Sequence, residues 1–473
     1  MSDVKEIVVL GSGIGGLAAG YFLAKTGRYK VTVIEKEATV GGMCGSFEHN
    51  GFTLDYGAHK LYSVIPGILG EIKNLLGDRL IRLPKKNRLF LRGHLLDYPL
   101  RFGNLAQALG PAAFLRLGLG YATVFLKEIL KGGESRSYEE YIVSRFGRPA
   151  YELVFEPLAD KVWGDPRSLH TEMARTRVPA SGGLEVILKL LGIKKDTAET
   201  NAEFFYYPRG GFGEFPISLK ERIEAMGGKV VVNAEVKDLK KESRKVTSVT
   251  CSIKGEAQRF PCDIIVSSIP LQDLGQILFH NADNEFNRAV SDLEFRHLIL
   301  AYIFVNRPLA LKDQWIFFPE RDVIFSRIFE QKQMNPELGP DDKTAICCDF
   351  TCSGESWQWR ASDEELALKC IEGLIKSGFI ESSGVSSYLI RRKRSFYPRY
   401  DLRYEDKMKR VINEVKQVEN LLVTGRVGMY NYNNADHCMD MGRFISEGLT
   451  DNAPCPQLID RLEDHVKSYR IVD

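Results

Sequence analysis

Three glycines, Gly11, Gly13 and Gly16, follow the apolar run Glu6–Leu10 and open a segment of small and apolar residues, Gly15–Lys25. A G-x-G-x-x-G run between a strand and a helix is the arrangement that takes the pyrophosphate of a dinucleotide. Gly11 permits the tight turn, Gly13 lets the backbone approach the phosphates, and Gly16 and Gly20 let the helix lie close to the sheet. The start of the helix, at Ile14 and Gly15, offers unpaired N–H groups and a partial positive charge. Glu35 ends the next strand, Lys30–Glu35, nineteen residues beyond Gly16. A carboxylate there accepts hydrogen bonds from ribose hydroxyls and repels a 2′-phosphate, which points away from NADP.

After Glu35-Lys36 comes Gly41-Gly42-Met43-Cys44-Gly45-Ser46, a second glycine turn suited to backbone running beside a long cofactor, and then Asp55-Tyr56-Gly57-Ala58-His59. This run resembles the flavoprotein superfamily of amine oxidases, protoporphyrinogen oxidases, phytoene desaturases and UDP-galactopyranose mutases. Later blocks agree, in order. Tyr207–Gly213 resembles the glycine loop leading into the flavin domain, and Val236 stands where a family valine meets the adenine. Cys262–Pro270 resembles the A-D-x-V-V-x-T-x-P strand, and Gly425-Arg426 the strand end that closes over the flavin. The resemblance implies FAD as cofactor. It also implies an α/β fold: a Rossmann-type FAD-binding domain of the glutathione-reductase-like family, with an inserted helical and mixed-sheet substrate domain. It assigns to the cofactor Gly11, Gly13, Ile14, Gly15, Gly16, Glu35, Lys36, Gly42, Met43, Gly57, His59, Val236, Gly425, Arg426 and Asp436.

Several blocks are most similar to the mutase branch: Tyr56–His59, the K-x-W-G helix end Asp160–Gly164, the strand Ser326–Glu330, and Gly425–Gly428 with Tyr430, Tyr432 and Asp436-His437. In the mutases, reduced flavin attacks the anomeric carbon of a nucleotide sugar so that its ring can open and re-close. The likeness makes His59 and Arg327 catalytic candidates and sets Trp163, Arg327, Tyr397 and Tyr430 against the substrate. Two positions depart from the pattern. Leu158 stands where the mutases stack an aromatic ring on uracil, and Arg177-Val178-Pro179-Ala180-Ser181 lacks their second diphosphate arginine, leaving Arg175 or Arg177 as substitutes. A charge-assisted phosphate contact contributes roughly 1.5–3 kcal/mol, so its loss disfavours a nucleotide sugar. The leading expectation is therefore an FAD-dependent oxidoreductase taking a hydride from an organic substrate onto flavin N5. The rivals are a nucleotide-sugar mutase and a non-enzymatic prenyl carrier of the same fold. Such carriers lack the intact dinucleotide loop that this chain has.

Each of these residues also has a plainer reading. His59 can tune the flavin or move a proton, or be a structural histidine. Arg327 can clamp an anion or pair with Glu330. Trp163 reads better as packing, the tyrosines can be core, and Asp436 can cap a helix instead of meeting the flavin.

The elements that must position these residues are spread over 473 residues, enough for two or three domains. The FAD-binding domain is expected in three pieces, 1–98, 206–275 and 401–473, interrupted by a mainly helical cap, 99–205, and a mixed-sheet substrate region, 276–400. Ser137 with Glu140 marks a helix start, Asp363–Lys376 reads as a helix, and a helix is expected beyond Asn434. A net charge of +2 argues against a nucleic-acid partner and for a small-molecule substrate, anionic or apolar. The nine scattered cysteines form no Cys-x-x-Cys pair, which points to no disulfide framework, no metal site and a reducing, cytoplasmic setting. TAICCDFTC reads as a strand with buried thiols. The apolar stretch Leu105–Leu130 is broken by Gly110, Pro111 and Arg116, short of the ~20 uninterrupted residues a membrane span needs. It reads as a buried helix, with peripheral membrane contact as the alternative.

Overall fold

Burial begins at once along the strand Lys5–Leu10, whose last four residues have no alternation of polar and apolar faces. Such runs form parallel strands covered on both sides. In the computed structural model, which describes residues 4–98, 102–128, 135–177, 203–279 and 284–471, that strand is the centre of a five-stranded sheet. Its order is Leu421–Val423, Ile264–Ser267, Lys5–Leu10, Tyr29–Ile34 and Lys229–Val231, and every pairing is parallel. The helix Ile14–Lys25 follows the glycine turn as expected and is buried along almost its whole length. Its outer side is covered by the helix Ala435–Thr450 from the far end of the chain, packed so closely that a Cβ on Gly442 would lie 2.5 Å from the carbonyl carbon of Ala18.

The second large sheet has seven strands in the order Val385–Pro398, Phe295–Val305, Thr344–Cys352, Arg327–Glu330, Trp315–Phe317, Asn87–Leu91 and His94–Asp97. Its pairings are antiparallel except that Trp315–Phe317 runs parallel to Asn87–Leu91. The hairpin 87–97 thus lies in this sheet and not beside the dinucleotide strands, although it falls within the 1–98 segment. Thr344–Cys352 is buried at every position, and its three thiols are core residues as their flanks suggested. A smaller antiparallel meander, Ala234–Ile253 with Glu256–Pro261, leads back into the parallel sheet.

Helices cover one end of the seven-stranded sheet. Phe102–Glu128 is bent at Gly110, which adopts φ +71° immediately before Pro111; a residue before proline is pushed out of the α region, so the bend sits where the sequence breaks. Residues 129 and 130 of the apolar stretch lie outside the described residues. Among the described residues, no helix is long and apolar enough to cross a membrane. Tyr138–Phe146 starts with the expected reciprocal cap between Ser137 and Glu140, and Glu156–Trp163 ends at Gly164.

Candidate functional site

The glycine turn presents a surface of bare backbone. Gly13 is the N-cap of the helix Ile14–Lys25, and a Cβ built on it would meet nothing within 4 Å. Gly15 is the opposite case: a Cβ there would sit 2.7 Å from Cα of Gly425, so at this point the two segments meet backbone to backbone. Gly42 abuts Gly13 from the second turn. Three backbone stretches therefore converge around the free N–H groups of a helix start, a geometry that favours an anion such as a pyrophosphate. Glu35 is buried beside it. Its Oε2 accepts from the Ser12 amide at 2.8 Å and the Ser12 hydroxyl at 2.7 Å, and its Oε1 from the Glu37 amide at 2.9 Å. These bonds fix the orientation of the carboxylate at the edge of the glycine turn.

From this cradle a single cavity of about 2270 Å³ runs toward the seven-stranded sheet. A pocket for one small ligand measures roughly 300–1,000 Å³, so this one has room for a dinucleotide and a second molecule. Gly11, Gly13, Ile14, Gly15, Glu35, Lys36, Gly42, Met43, Gly57, His59, Val236, Gly425 and Arg426 all line it. Gly16 stands behind the wall, where a Cβ would fall 2.0 Å from the Gly11 carbonyl oxygen.

Beyond the cradle lie the groups with chemical potential. The His59 ring stacks on Phe212, with centroids 4.6 Å apart, and its Nδ1 is buried with no hydrogen-bond partner. Burial, reinforced by the positive charges of Arg426 and Arg327, pushes its pKa down to about 3. His59 is thus a neutral hydrogen-bonding group at physiological pH and a poor proton acceptor.

Arg327 donates from Nε to Asp349 Oδ2 at 2.8 Å and from Nη2 to the same oxygen. Burial works against its charge, but Asp349 more than offsets this and holds the guanidinium protonated. The alternative partner considered from sequence, Glu330, is engaged elsewhere: it accepts from the amides of Ala310 and Leu311 and from the Thr344 hydroxyl. Arg327 and Asp349 face each other across adjacent strands, a pairing that nothing in their spacing announces.

An aromatic wall stands next to this pair. Tyr397 and Tyr432 stack with centroids 4.9 Å apart and an interplanar angle of 1°. Arg426 lies over both, 5.1 Å from the Tyr397 centroid and 5.4 Å from that of Tyr432, and is held by the Asn433 carbonyl at 3.0 Å from Nε. Arg177 lies 3.8 Å from the Tyr432 centroid and 4.6 Å from that of Trp163. Its Nη1 donates to the Met173 carbonyl at 2.9 Å, whereas its Nη2 is buried and unpartnered. Arg177, considered from sequence only as a substitute for a missing arginine, thus faces the cavity. Residues 178–181 of that motif lie outside the described residues.

Two of the assigned residues lie outside this lining. Tyr430 is absent from the residues that line the cavity; its hydroxyl is shared between the carbonyls of Glu294 and Arg399, 2.6 Å from each. Asp436 is buried in the first turn of the helix Ala435–Thr450 and likewise does not line the cavity. Nor does it cap that helix: Asn434 does, with His437 closing the cap through Nδ1. Asp349 and Phe212 line the cavity but were not assigned to it, and Tyr432, one of the tyrosines read as candidates for the flavin's substrate face, lines it too. Phe212 had a sequence signal, its place in the Tyr207–Gly213 block, whereas Asp349 had none.

Residues 9–75 match the family described as NAD(P)-binding Rossmann-like domain. Among curated relatives, the human all-trans-retinol 13,14-reductase is 26% identical over 305 residues, which cover 56% of this chain and 47% of the relative. The phytoene dehydrogenase of Streptomyces griseus is 27% identical over 284 residues, 56% of this chain and 54% of the relative. The chain therefore spans about half the length of the curated relatives it matches. Among solved structures, reduced UDP-galactopyranose mutase superposes with a TM-score of 0.83 at 19% identity, covering 99% of this chain and all of that one. With its parallel sheet and glycine turn joined to a mixed sheet, the chain has an α/β Rossmann-like dinucleotide-binding fold, and residues 9–75 carry the match to the Rossmann-like family.

Proposed function

We propose that the protein is an FAD-dependent oxidoreductase of the amine oxidase and carotenoid desaturase type, acting on a small, largely apolar organic molecule. The observation that carries this reading is the continuity of one cavity from the glycine cradle, past His59 and the Arg327–Asp349 pair, into an apolar recess. The residues present fit FAD: a cradle with open space at Gly13 that a side chain there would enter, a buried carboxylate at Glu35, and an orphaned buried nitrogen on His59. Bound there, FAD supplies a two-electron acceptor, and the protein's part is placement, exclusion of water and control of protons.

Gly13, Gly15 and Gly42 admit the pyrophosphate, and Glu35 orients the ribose. Arg426 leans over the Tyr397–Tyr432 stack and keeps positive charge beside His59, which favours a negatively charged neighbour and keeps the imidazole neutral. Neutral His59 orients through a hydrogen bond. The aromatic wall and the apolar recess keep the reacting region dry.

The competing reading, isomerisation of a nucleotide sugar, draws on Arg327 and the motif blocks around it. Leu158, which lines the recess where a base-stacking ring would be needed, weighs against it. The two separate in one experiment. FAD-loaded protein is mixed anaerobically with polyenes, amines, porphyrinogens and nucleotide sugars while the flavin spectrum is followed. Bleaching by an apolar donor is expected. No bleaching, together with sugar isomerisation after dithionite reduction, overturns the oxidoreductase.

A further inference from the structure

The cavity has a second arm that the dinucleotide cradle does not use. It lies among the hairpin 87–97, the bent helix Phe102–Glu128 and the segment 151–163, and Leu89, Leu105, Leu117, Leu153, Val154 and Leu158 face it. These residues belong to a small apolar cluster with six buried members, and its remaining side chains are only partly covered. The cluster is a core left open on one side, and an apolar arm of this kind stays free of water.

The inner end of the arm is different. Phe317 packs into the apolar cluster and pairs in register with Arg327, whose guanidinium is 5.9 Å from its ring. On the helix Glu156–Trp163, Leu158 and Val162 lie one turn apart on the cavity wall, and Trp163 follows them to Arg177. The arm therefore opens onto Arg327, Arg177 and Trp163. Trp163 Nε1 and Arg177 Nη2 are both buried without a hydrogen-bond partner. Both groups can only donate. Asp349 neutralises Arg327, and among the described residues no carboxylate lies within ion-pair distance of Arg177. Buried donors are rarely left unsatisfied, and an exception calls for a partner supplied from elsewhere. Two orphaned donors, one of them cationic, are complemented by an acceptor that carries negative charge.

We propose that the substrate is a single apolar chain ending in an oxyanion head, with the chain in the arm and the head on Arg177 and Trp163 beside Arg327. This rests on the flavoenzyme reading and narrows its substrate class. A neutral polyene would leave both donors empty, an alcohol would offer them one uncharged oxygen and no charge to meet Arg177, and a nucleotide sugar would place polar groups against the leucines.

The test is equilibrium binding to the oxidised FAD-loaded protein, followed by the shift of the flavin spectrum and by calorimetry, with no turnover required. Failure to bleach with any donor would therefore count against the oxidoreductase reading and leave this result untouched. Oleic acid, dodecyl phosphate, oleyl alcohol, butyrate and UDP-galactose serve as probes. One or both of the long-chain anions is expected to bind at least tenfold more tightly than oleyl alcohol and butyrate, and the better of the two identifies the head as carboxylate or phosphate. Arg177→Met should bring the long-chain anion down to the level of the alcohol, and Leu117→Trp should weaken it severalfold without affecting butyrate. If Arg177→Met does not fold, Trp163→Phe, which keeps an aromatic side chain and removes one donor, should weaken the anion severalfold and spare the alcohol. The proposal is overturned if oleyl alcohol binds as well as both anions, if the substitution that folds leaves the preference for the anion intact, or if UDP-galactose binds more tightly than either.

Discussion

Asp55 lies under the loop that carries His59 and ties three parts of the molecule together. Its carboxylate accepts from the Ser46 hydroxyl, the Tyr207 hydroxyl and the Phe212 amide. Its own amide donates to Gln331 at 2.8 Å, and its carbonyl accepts from the Tyr302 hydroxyl. The second glycine turn, the loop beneath the imidazole and the seven-stranded sheet all meet at this residue. Burial pushes its pKa up from the usual 3.8 to about 6, against the pull of the hydrogen bonds to the ionised form. A carboxyl whose folded pKa is raised contributes stability that is fully present below 3.8 and lost as pH rises through about 6. Asp55→Asn has no such titration. The stability of the natural protein relative to that variant should therefore fall by roughly 2 kcal/mol between pH 4 and pH 7 and stay level above it. Urea unfolding of both proteins across that range checks the sign, and a difference that grows with pH would show that the hydrogen bonds outweigh burial.

At the scale of elements, the turns and caps were the most legible. Ser137 with Glu140, Asn434 before Ala435, and the Gly11–Gly16 turn between an apolar strand and a helix each announce themselves within a few residues, because a cap or turn is a local contact. Partners supplied by sheet register were not legible. Arg327 meets Asp349 because two antiparallel strands happen to align them, and Tyr430 loses its hydroxyl to carbonyls of the distant Glu294 and Arg399. A one-residue slip between the strands of Arg327 and Asp349 would separate that pair and leave the local patterns intact, and the partners of Tyr430 lie 136 and 31 residues away in sequence. The meeting of Gly15 with Gly425 joins the two kinds of contact: each glycine stands in a recognisable motif, yet only the fold brings them together. Gly15→Ala sets a methyl 2.7 Å from backbone that has no rotamer with which to yield. The helix start and the strand end must move apart, at a cost of roughly 1–3 kcal/mol for overpacking. FAD affinity is expected to fall at least tenfold, read from flavin retention on gel filtration, whereas Gly13→Ala, with open space around it, should preserve the fold and lose affinity only by intruding on the phosphates.

The whole molecule is organised so that its two ends form one binding surface. The five-stranded sheet draws strands from 5–34, 229–231, 264–267 and 421–423, and the helices Ile14–Lys25 and Ala435–Thr450 pack face to face through Ala18 and Gly442. The cap helices and the seven-stranded sheet are excursions from this frame, and their side chains reach the cavity only because the frame closes. A ligand seated at the Gly13–Gly15–Gly425 junction contacts both ends simultaneously, so its binding energy must be shared by segments some 400 residues apart in sequence. At a hundred times its dissociation constant, a ligand that binds only the folded state adds about 2.7 kcal/mol, equivalent to slowing exchange through global opening about a hundredfold. Hydrogen exchange with and without FAD should therefore show matched protection of Ile7–Gly20 and Leu421–Gly442, appearing at the same FAD concentration. Protection confined to the first 75 residues, the part that matches the Rossmann-like family, would mean that the C-terminal strand and helix dock independently of the cofactor. The closure at Gly425 would then be a packing contact and not part of the site.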